Sequence, residues 1–219
     1  MPSIVSLFSG AGGMDLGFEQ AGFETIWANE WDKAACRTYR TNFDSPILCQ
    51  DVKTITARDI PDSDVIIGGP PCQGFSVAGK MDATDTRSQL IWDFCRIVME
   101  KKPSYFVMEN VAALKQNSRF NLLHDALLHT FKENGYQIAF GVLDSQYFDT
   151  PQARKRFFII GSLETPPMFP SPASEPMSIR EAFRGMTLRG TDLSGWHQGF
   201  EKKPSYEKIS LCRDDVLWG

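Results

Sequence analysis

At 219 residues, with 42% hydrophobic and 23% charged side chains, the chain is long enough to bury a core, as one large domain or one domain and the start of another. A formal net charge of −4 argues mildly against a nucleic-acid partner, because proteins that neutralise phosphates usually show a basic patch or stripe. The five cysteines (Cys36, Cys49, Cys72, Cys95 and Cys212) are odd in number and form no CxxC pair, so neither a disulfide framework nor a metal site is expected. The apolar start breaks at Ser9-Gly10, too early for a secretory leader or a membrane span, and the expected compartment is the cytosol or nucleus.

In chain order, short apolar runs alternate with amphipathic stretches. Ile4–Phe8 precedes Met14–Ala21, Thr25–Ala28 precedes Lys33–Asn42, Val65–Gly68 precedes Gln89–Lys101, and Tyr105–Met108 precedes Asn121–Asn134. This βαβα alternation predicts an α/β fold, a mostly parallel sheet with helices on both faces. The helical period is plainest in Asn121–Asn134, where Leu122, Leu123, Ala126, Leu127 and Phe131 share one side and Gly135 supplies the stop. Gln137–Leu143 and Arg156–Gly161 predict a hairpin-like pair of strands at one edge. Ligands of such sheets sit at the carboxyl ends of the strands.

From Thr165 the chain changes character, because Pro166, Pro167, Pro170, Pro172 and Pro176 suppress regular structure. The expected organisation is a domain over 1–164, a linker over 165–177 and a further region over 178–219. That region opens on a short helix, Ser178–Arg184, with Ser178 and Glu181 as a capping box. Beyond Gly185 the sequence is polar and patternless.

The first strand runs into Phe8-Ser9-Gly10-Ala11-Gly12-Gly13, whose glycines allow a tight turn and a close backbone approach to a ligand. Glu30 follows Gly10 by twenty residues at the end of the second strand, where nucleoside-binding α/β folds place a carboxylate for ribose hydroxyls. Trp31 offers an indole to an adenine ring, and Asp51 an acceptor to its amino group. Asp15 stands where the dinucleotide fingerprint needs a glycine, which disfavours a pyrophosphate and a dehydrogenase. A simple tight turn and a solvated strand end are the competing reading.

The fourth strand ends in Gly68-Gly69-Pro70-Pro71-Cys72-Gln73, where two prolines and two glycines present a cysteine rigidly at the carboxyl edge. An inert packing thiol is the alternative. Glu109 follows the apolar Tyr105–Met108, a costly place for a carboxylate without a partner, although a loop-anchoring Glu would also fit. Arg154 and Arg156 are two apart and would share one face of a strand, where solvent or a surface acid is the usual partner.

Taken together, these motifs resemble those of the DNA cytosine-5 methyltransferases. Leu7–Gly13 is similar to their cofactor loop, Asn29-Glu30-Trp31-Asp32 to their ribose and adenine contact, and Pro70-Pro71-Cys72-Gln73 to their nucleophile loop. Glu109-Asn110-Val111 is similar to their catalytic acid, and Gln152–Arg156 to their Gln-x-Arg-x-Arg element. The resemblance covers roughly residues 4 to 161. It implies a Rossmann-like S-adenosylmethionine-dependent fold and methyl transfer to carbon 5 of cytosine in duplex DNA, with S-adenosylhomocysteine as product. Cofactor contacts would come from Phe8, Ser9, Gly10, Ala11, Gly12, Gly13, Glu30, Trp31, Asp51, Val52, Pro70 and Leu90.

The catalytic set so implied is Cys72, Glu109, Arg154 and Arg156. The Cys72 thiolate would add to carbon 6 and make carbon 5 nucleophilic, and Glu109 would contact the ring nitrogen and amine. Arg154 would steady a flipped base and Arg156 the Cys72 loop. Ser76–Ser88 has the makeup of a lid. A restriction–modification setting accords with the family, while target sequence and oligomeric state stay open. Full members continue into a target-recognition domain and a last helical element; residues 178–219 are expected to be the incomplete start of the former, and the motif of the latter is not found in this sequence. Either a missing C-terminal region or a second polypeptide would supply them. The alternatives are a tRNA cytosine-5 methyltransferase and a regulatory module that engages a partner chain.

Overall fold

In a computed structural model, which describes residues 1–71 and 89–182, seven strands form one sheet. They are β1 (Ser3–Leu7), β2 (Glu24–Glu30), β3 (Ile47–Cys49), β4 (Val65–Gly68), β5 (Tyr105–Val111), β6 (Gln137–Asp144) and β7 (Lys155–Ser162). The helices are α1 (Gly13–Gln20), α2 (Lys33–Asn42), α3 (Gln89–Lys101), α4 (Ala113–Gln116), α5 (Asn121–Glu133) and α6 (Ile179–Ala182).

The strand order is β3-β2-β1-β4-β5-β7-β6. Pairing is parallel from β3 through β5, and β7 runs antiparallel to β5. Central strands of a parallel sheet are covered on both faces and so become continuously apolar. β4, all four residues of which are buried, follows that rule. The expected edge pair is present, with β6 outermost and β7 between it and β5.

The main core packs Ile91, Phe94 and Val98 of α3 and Leu127 and Phe131 of α5 against Val5, Ile66, Phe106 and Met108 of the sheet. Met14 and Phe18 of α1 pack on a second cluster of Ile4, Val65 and Ile67, and α2 covers Ala28 and Ile47 through Cys36 and Tyr39. At β1 and β4 the order turns outward in both directions, which opens a crevice beyond the carboxyl ends of these strands.

Two compact units emerge. One is Met1–Leu143 with Lys155–Pro170, and the other is Asp144–Arg154 with Ser171–Gly219. In the second, the amides of Ala173 and Ser174 donate to the Tyr147 carbonyl at 3.0 and 3.1 Å. The Pro-rich stretch carries no helix or strand from 166 to 178, and Ser178 and Glu181 form the capping box of α6. Among the described residues, no helix is long and apolar enough to cross a membrane.

Candidate active site

β1 ends at Leu7, and the chain then turns through left-handed backbone at Phe8 (φ 54°), Gly10 (φ 58°) and Gly12 (φ 92°). Glycine accepts this region without penalty, whereas Phe8 is a strained position of the kind that clusters at binding sites. The loop is fixed by the Ser9 amide on the Asn29 carbonyl and the Gly12 amide on the Ser9 carbonyl, both 3.0 Å.

Glu30 closes β2 and ties two segments together. Its Oε2 accepts from the Gly10 amide at 2.9 Å, while Oε1 accepts from the amides of Trp31 and Asp32 at 2.9 and 2.8 Å. Asp32 in turn caps α2 through the amides of Ala34 and Ala35 at 2.9 and 2.7 Å. Buried Asn29 donates from Nδ2 to the carbonyls of Leu48 and Gln50 at 3.0 and 2.8 Å, which fixes the end of β3 beside Glu30.

These ends surround a cavity of about 450 Å³, within the usual size range of small-molecule sites. Its walls hold Glu30, Asp51 and Trp31, with Phe8, Val52, Pro71 and Leu90 as apolar surface. Trp31 is 74% exposed, so its indole face is open to a ligand. Asp51 accepts the Lys53 amide with Oδ1 at 3.0 Å. Two carboxylates, one indole and an apolar wall suit a nucleoside with free ribose hydroxyls, and Lys53 stands among them. Of the expected loop contacts, Phe8 lines the cavity and Gly10 reaches it through Glu30, whereas Ser9, Ala11, Gly12 and Gly13 are not part of its lining. Pro71 lines it, and Pro70 is buried behind.

Gly69 and Pro71, in the loop after β4, complete the lining, and β5 runs beside that loop. A Cβ at Gly68 would lie 2.7 Å from the Leu7 carbonyl oxygen, and one at Gly69 would lie 3.2 Å from Glu109 Oε2. Glycine is therefore what lets β4 run against β1 and brings Glu109 to the loop that leads to Cys72. The strand containing Glu109 extends beyond Met108 to Val111, so Glu109 is inside β5 rather than at its end. Its Oε1 pairs with Arg156 Nε at 2.8 Å, from a β7 position opposite Val111. Buried Asn110 donates from Nδ2 to the Pro70 carbonyl at 3.0 Å and accepts the Val111 amide at 2.8 Å, which anchors the Pro-Pro turn.

Cys72 and the expected lid Ser76–Ser88 lie outside the described residues. Two of the other thiols are chemically quiet, because burial pushes both Cys36, which has the Cys49 thiol beside it, and Cys95 up to about 12. Arg154 stands one residue before β7, so strand alternation does not extend to it. Its side chain is exposed, its amide donates to Asp144 Oδ1 at 3.1 Å, and its carbonyl accepts from Ser145 at 3.1 Å. Asn29 belongs to the motif the resemblance gave as a ribose and adenine contact, whereas sequence reasoning missed Lys53, Gly69 and Pro71 as lining and Asn110 as an anchor. An asparagine one residue from each motif carboxylate was the available signal.

The chain is 40% identical over 188 residues to the Type II methyltransferase M.Bsp6I of Bacillus sp. (strain RFL6), covering 82% of this chain and 58% of that protein. It is also 40% identical to the Type II methyltransferase M.AquIA of Picosynechococcus sp., over 79% of this chain and 77% of that one. Among solved structures, a protein described as a candidate DNA modification methyltransferase encoded within an E. coli prophage superimposes with a TM-score of 0.73 at 30% identity. That match covers 86% of this chain and 56% of the other. The S. pombe Dnmt2 methyltransferase, at 22% identity and a TM-score of 0.65, shares the fold. The C-5 cytosine-specific DNA methylase family matches over residues 3–190, and the chain belongs to that family.

Proposed function

We propose that this chain carries the cofactor and nucleophile portion of a DNA cytosine-5 methyltransferase. The observation that carries the reading is the wall shared by cavity and carboxyl: Gly69 lines the cavity and sits against Glu109, while Pro71 lines it and leads directly to Cys72. In this reading Glu30 receives ribose hydroxyls, Trp31 and the apolar wall receive an adenine ring, and Asp51 accepts from its amino group. S-Adenosylmethionine bound there would supply an electrophilic methyl group.

The Cys72 thiolate adds to carbon 6 of a cytosine taken out of the duplex, which makes carbon 5 an enamine-type nucleophile. After carbon 5 takes the methyl group, loss of its proton and expulsion of the thiolate restore the ring. Glu109 bonds the ring nitrogen and exocyclic amine as charge moves onto the ring, and Arg156 holds its carboxylate in place. The chain spans 58% of the Bacillus relative's length, so we assign duplex recognition to sequence or a partner chain beyond these motifs. Arg154 is assigned to the flipped base.

The test is incubation with labelled S-adenosylmethionine and mixed-sequence duplex DNA, followed by nucleoside analysis. Label in 5-methylcytosine, lost on Cys72→Ser, is the expected result, with tRNA as the competing substrate. Full transfer by the Cys72→Ser chain would overturn the covalent route.

A further inference from the structure

α1 carries an ionisable group in a place where packing alone needs none. Asp15 is the third residue of the helix and is wholly buried, and a buried carboxyl is costly unless something pairs with it. The Tyr39 hydroxyl, from the middle of α2, donates to Asp15 Oδ1 at 2.9 Å and also lies 3.1 Å from Ser45 Oγ. Asp15 Oδ2 has no hydrogen-bond partner among the described residues.

The same stretch also touches the glycine loop from which α1 starts. The Tyr39 ring stacks on Phe43 at a centroid distance of 4.4 Å, and Phe43 Cε2 lies 2.1 Å from where a Cβ at Gly12 would stand. α2 therefore holds the first turn of α1 by the hydrogen bond at Asp15, and Phe43, the residue that follows α2, holds the end of the loop by its ring at Gly12. Its other end begins at Asp32, whose amide donates to Glu30. One helix thus joins the glycine loop to the carboxylate that faces it.

We propose that the Asp15–Tyr39 pair is a positioning device for the cofactor loop, setting the rotation of α2 so that Gly10 and Glu30 meet in the binding geometry. This rests on reading the cavity as the cofactor site. An apolar pair would pack equally well, but it would let α2 slide or turn, because only a hydrogen bond is directional. Burial holds Asp15 above the ordinary carboxylate range and Glu19 adds to this, against the Tyr39 and Ser6 hydroxyls and the Asp15 amide, which favour the charged form.

The test compares Tyr39→Phe, which keeps the ring stack and deletes only the hydroxyl, with Asp15→Asn, whose amide oxygen still accepts, and Asp15→Leu, which cannot. Two readouts are taken on the 219-residue chain: amide hydrogen exchange without ligand, and equilibrium binding of S-adenosylhomocysteine. Tyr39→Phe and Asp15→Leu are expected to speed exchange at residues 10–16 while leaving α5 protected, and to weaken binding roughly tenfold. Asp15→Asn should stay within about threefold of wild type. Wild-type exchange and affinity in Tyr39→Phe would overturn the proposal, as would faster exchange throughout the sheet and helices with unchanged affinity per folded molecule. Should Tyr39→Phe not fold, the Asp15→Asn and Asp15→Leu pair decides alone. If the wild-type chain does not bind S-adenosylhomocysteine, the cofactor reading fails, and the exchange data still decide whether the pair holds the loop.

Discussion

The two ends of the same strands carry two cavities of similar size and different character. The one at the carboxyl ends, about 450 Å³, is ringed by Glu30, Asp51 and Trp31. The one at the amino ends, about 350 Å³, is lined by Phe18, Phe23, Val65, Tyr105, Val107 and Ile160, with Asp64 and Glu164 as the two charged residues of its lining. Asp64 accepts both the amide and the hydroxyl of Ser3 on one oxygen, at 2.7 and 2.8 Å, and these bonds hold its carboxyl below the usual range. It fastens the start of β1 to the start of β4. Glu30 also accepts amides, but from two separate segments and at the wall of an open volume. A carboxylate bonded to backbone amides is thus a fastener at one end and a candidate ligand contact at the other. The difference lies in what it bridges and what it faces.

The sharpest way to break that contrast is with glycines at the two ends. Gly12 has φ 92° and Phe43 occupies the place of its Cβ at 2.1 Å, whereas Gly22, beside the amino-end cavity, has φ 89° and nothing within 4 Å. Gly22→Ala meets backbone strain alone and should cost about 1–2 kcal/mol in denaturant unfolding. Gly12→Ala meets the same strain plus a clash with a packed ring, so a loss of roughly 3 kcal/mol or more is expected, with cofactor binding abolished. Equal costs for the two would contradict the close approach of α2 to the loop.

The carboxylates give the next largest effect. Glu30→Gln replaces an acceptor of three amides with a group that also donates. Binding of S-adenosylhomocysteine should weaken by roughly a hundredfold, the order expected for charged hydrogen bonds lost at a site. Asp64→Asn should leave binding unchanged and lower only the melting temperature. Calorimetric titration of both variants checks the pair, and comparable loss of binding in Asp64→Asn would remove the distinction between the two ends. Arg156→Lys tests the carboxylate beside the loop after β4. Lysine keeps the charge without the planar guanidinium that reaches Glu109 at 2.8 Å, so methyl transfer should fall about tenfold with cofactor affinity unchanged.

Sequence periodicity located most of the elements, because the residues that define them are neighbours in the chain. Lys33–Asn42, Val65–Gly68 and Gln89–Lys101 have the bounds the pattern predicts. At the carboxyl-end cavity Glu30, Trp31 and Asp51 were legible from residue type and spacing, whereas Phe8, Val52 and Leu90 were named through the resemblance; all six line it. What escaped are links between residues far apart in sequence: Asn110 to the Pro70 carbonyl, Glu109 to Arg156, and Phe43 to Gly12. The length of β5 escaped for a related reason. Glu109 ends the apolar run, yet pairing with β7 carries the strand on to Val111. Asp15 was legible only as a departure from the dinucleotide fingerprint, and its partner Tyr39 lies 24 residues away on another helix.

The smallest expected effect is the pH dependence that Asp15 imposes. Its carboxyl titrates above the ordinary value in the folded chain, with burial as the main cause. Between the ordinary carboxylate value and this raised one, the folded state holds more protons than the unfolded state. Stability therefore declines as pH rises through that window and levels off once Asp15 is ionised in both states. Below the window the contribution is fully present. Asp15→Asn cannot ionise, so this component should vanish from its profile while the Tyr39 hydrogen bond persists. Denaturant unfolding of both chains from pH 4 upward should show a stability difference that moves in favour of Asp15→Asn as pH rises. A constant difference would mean that Asp15 is charged throughout and that Tyr39 and the first turn of α1 offset the cost of its burial.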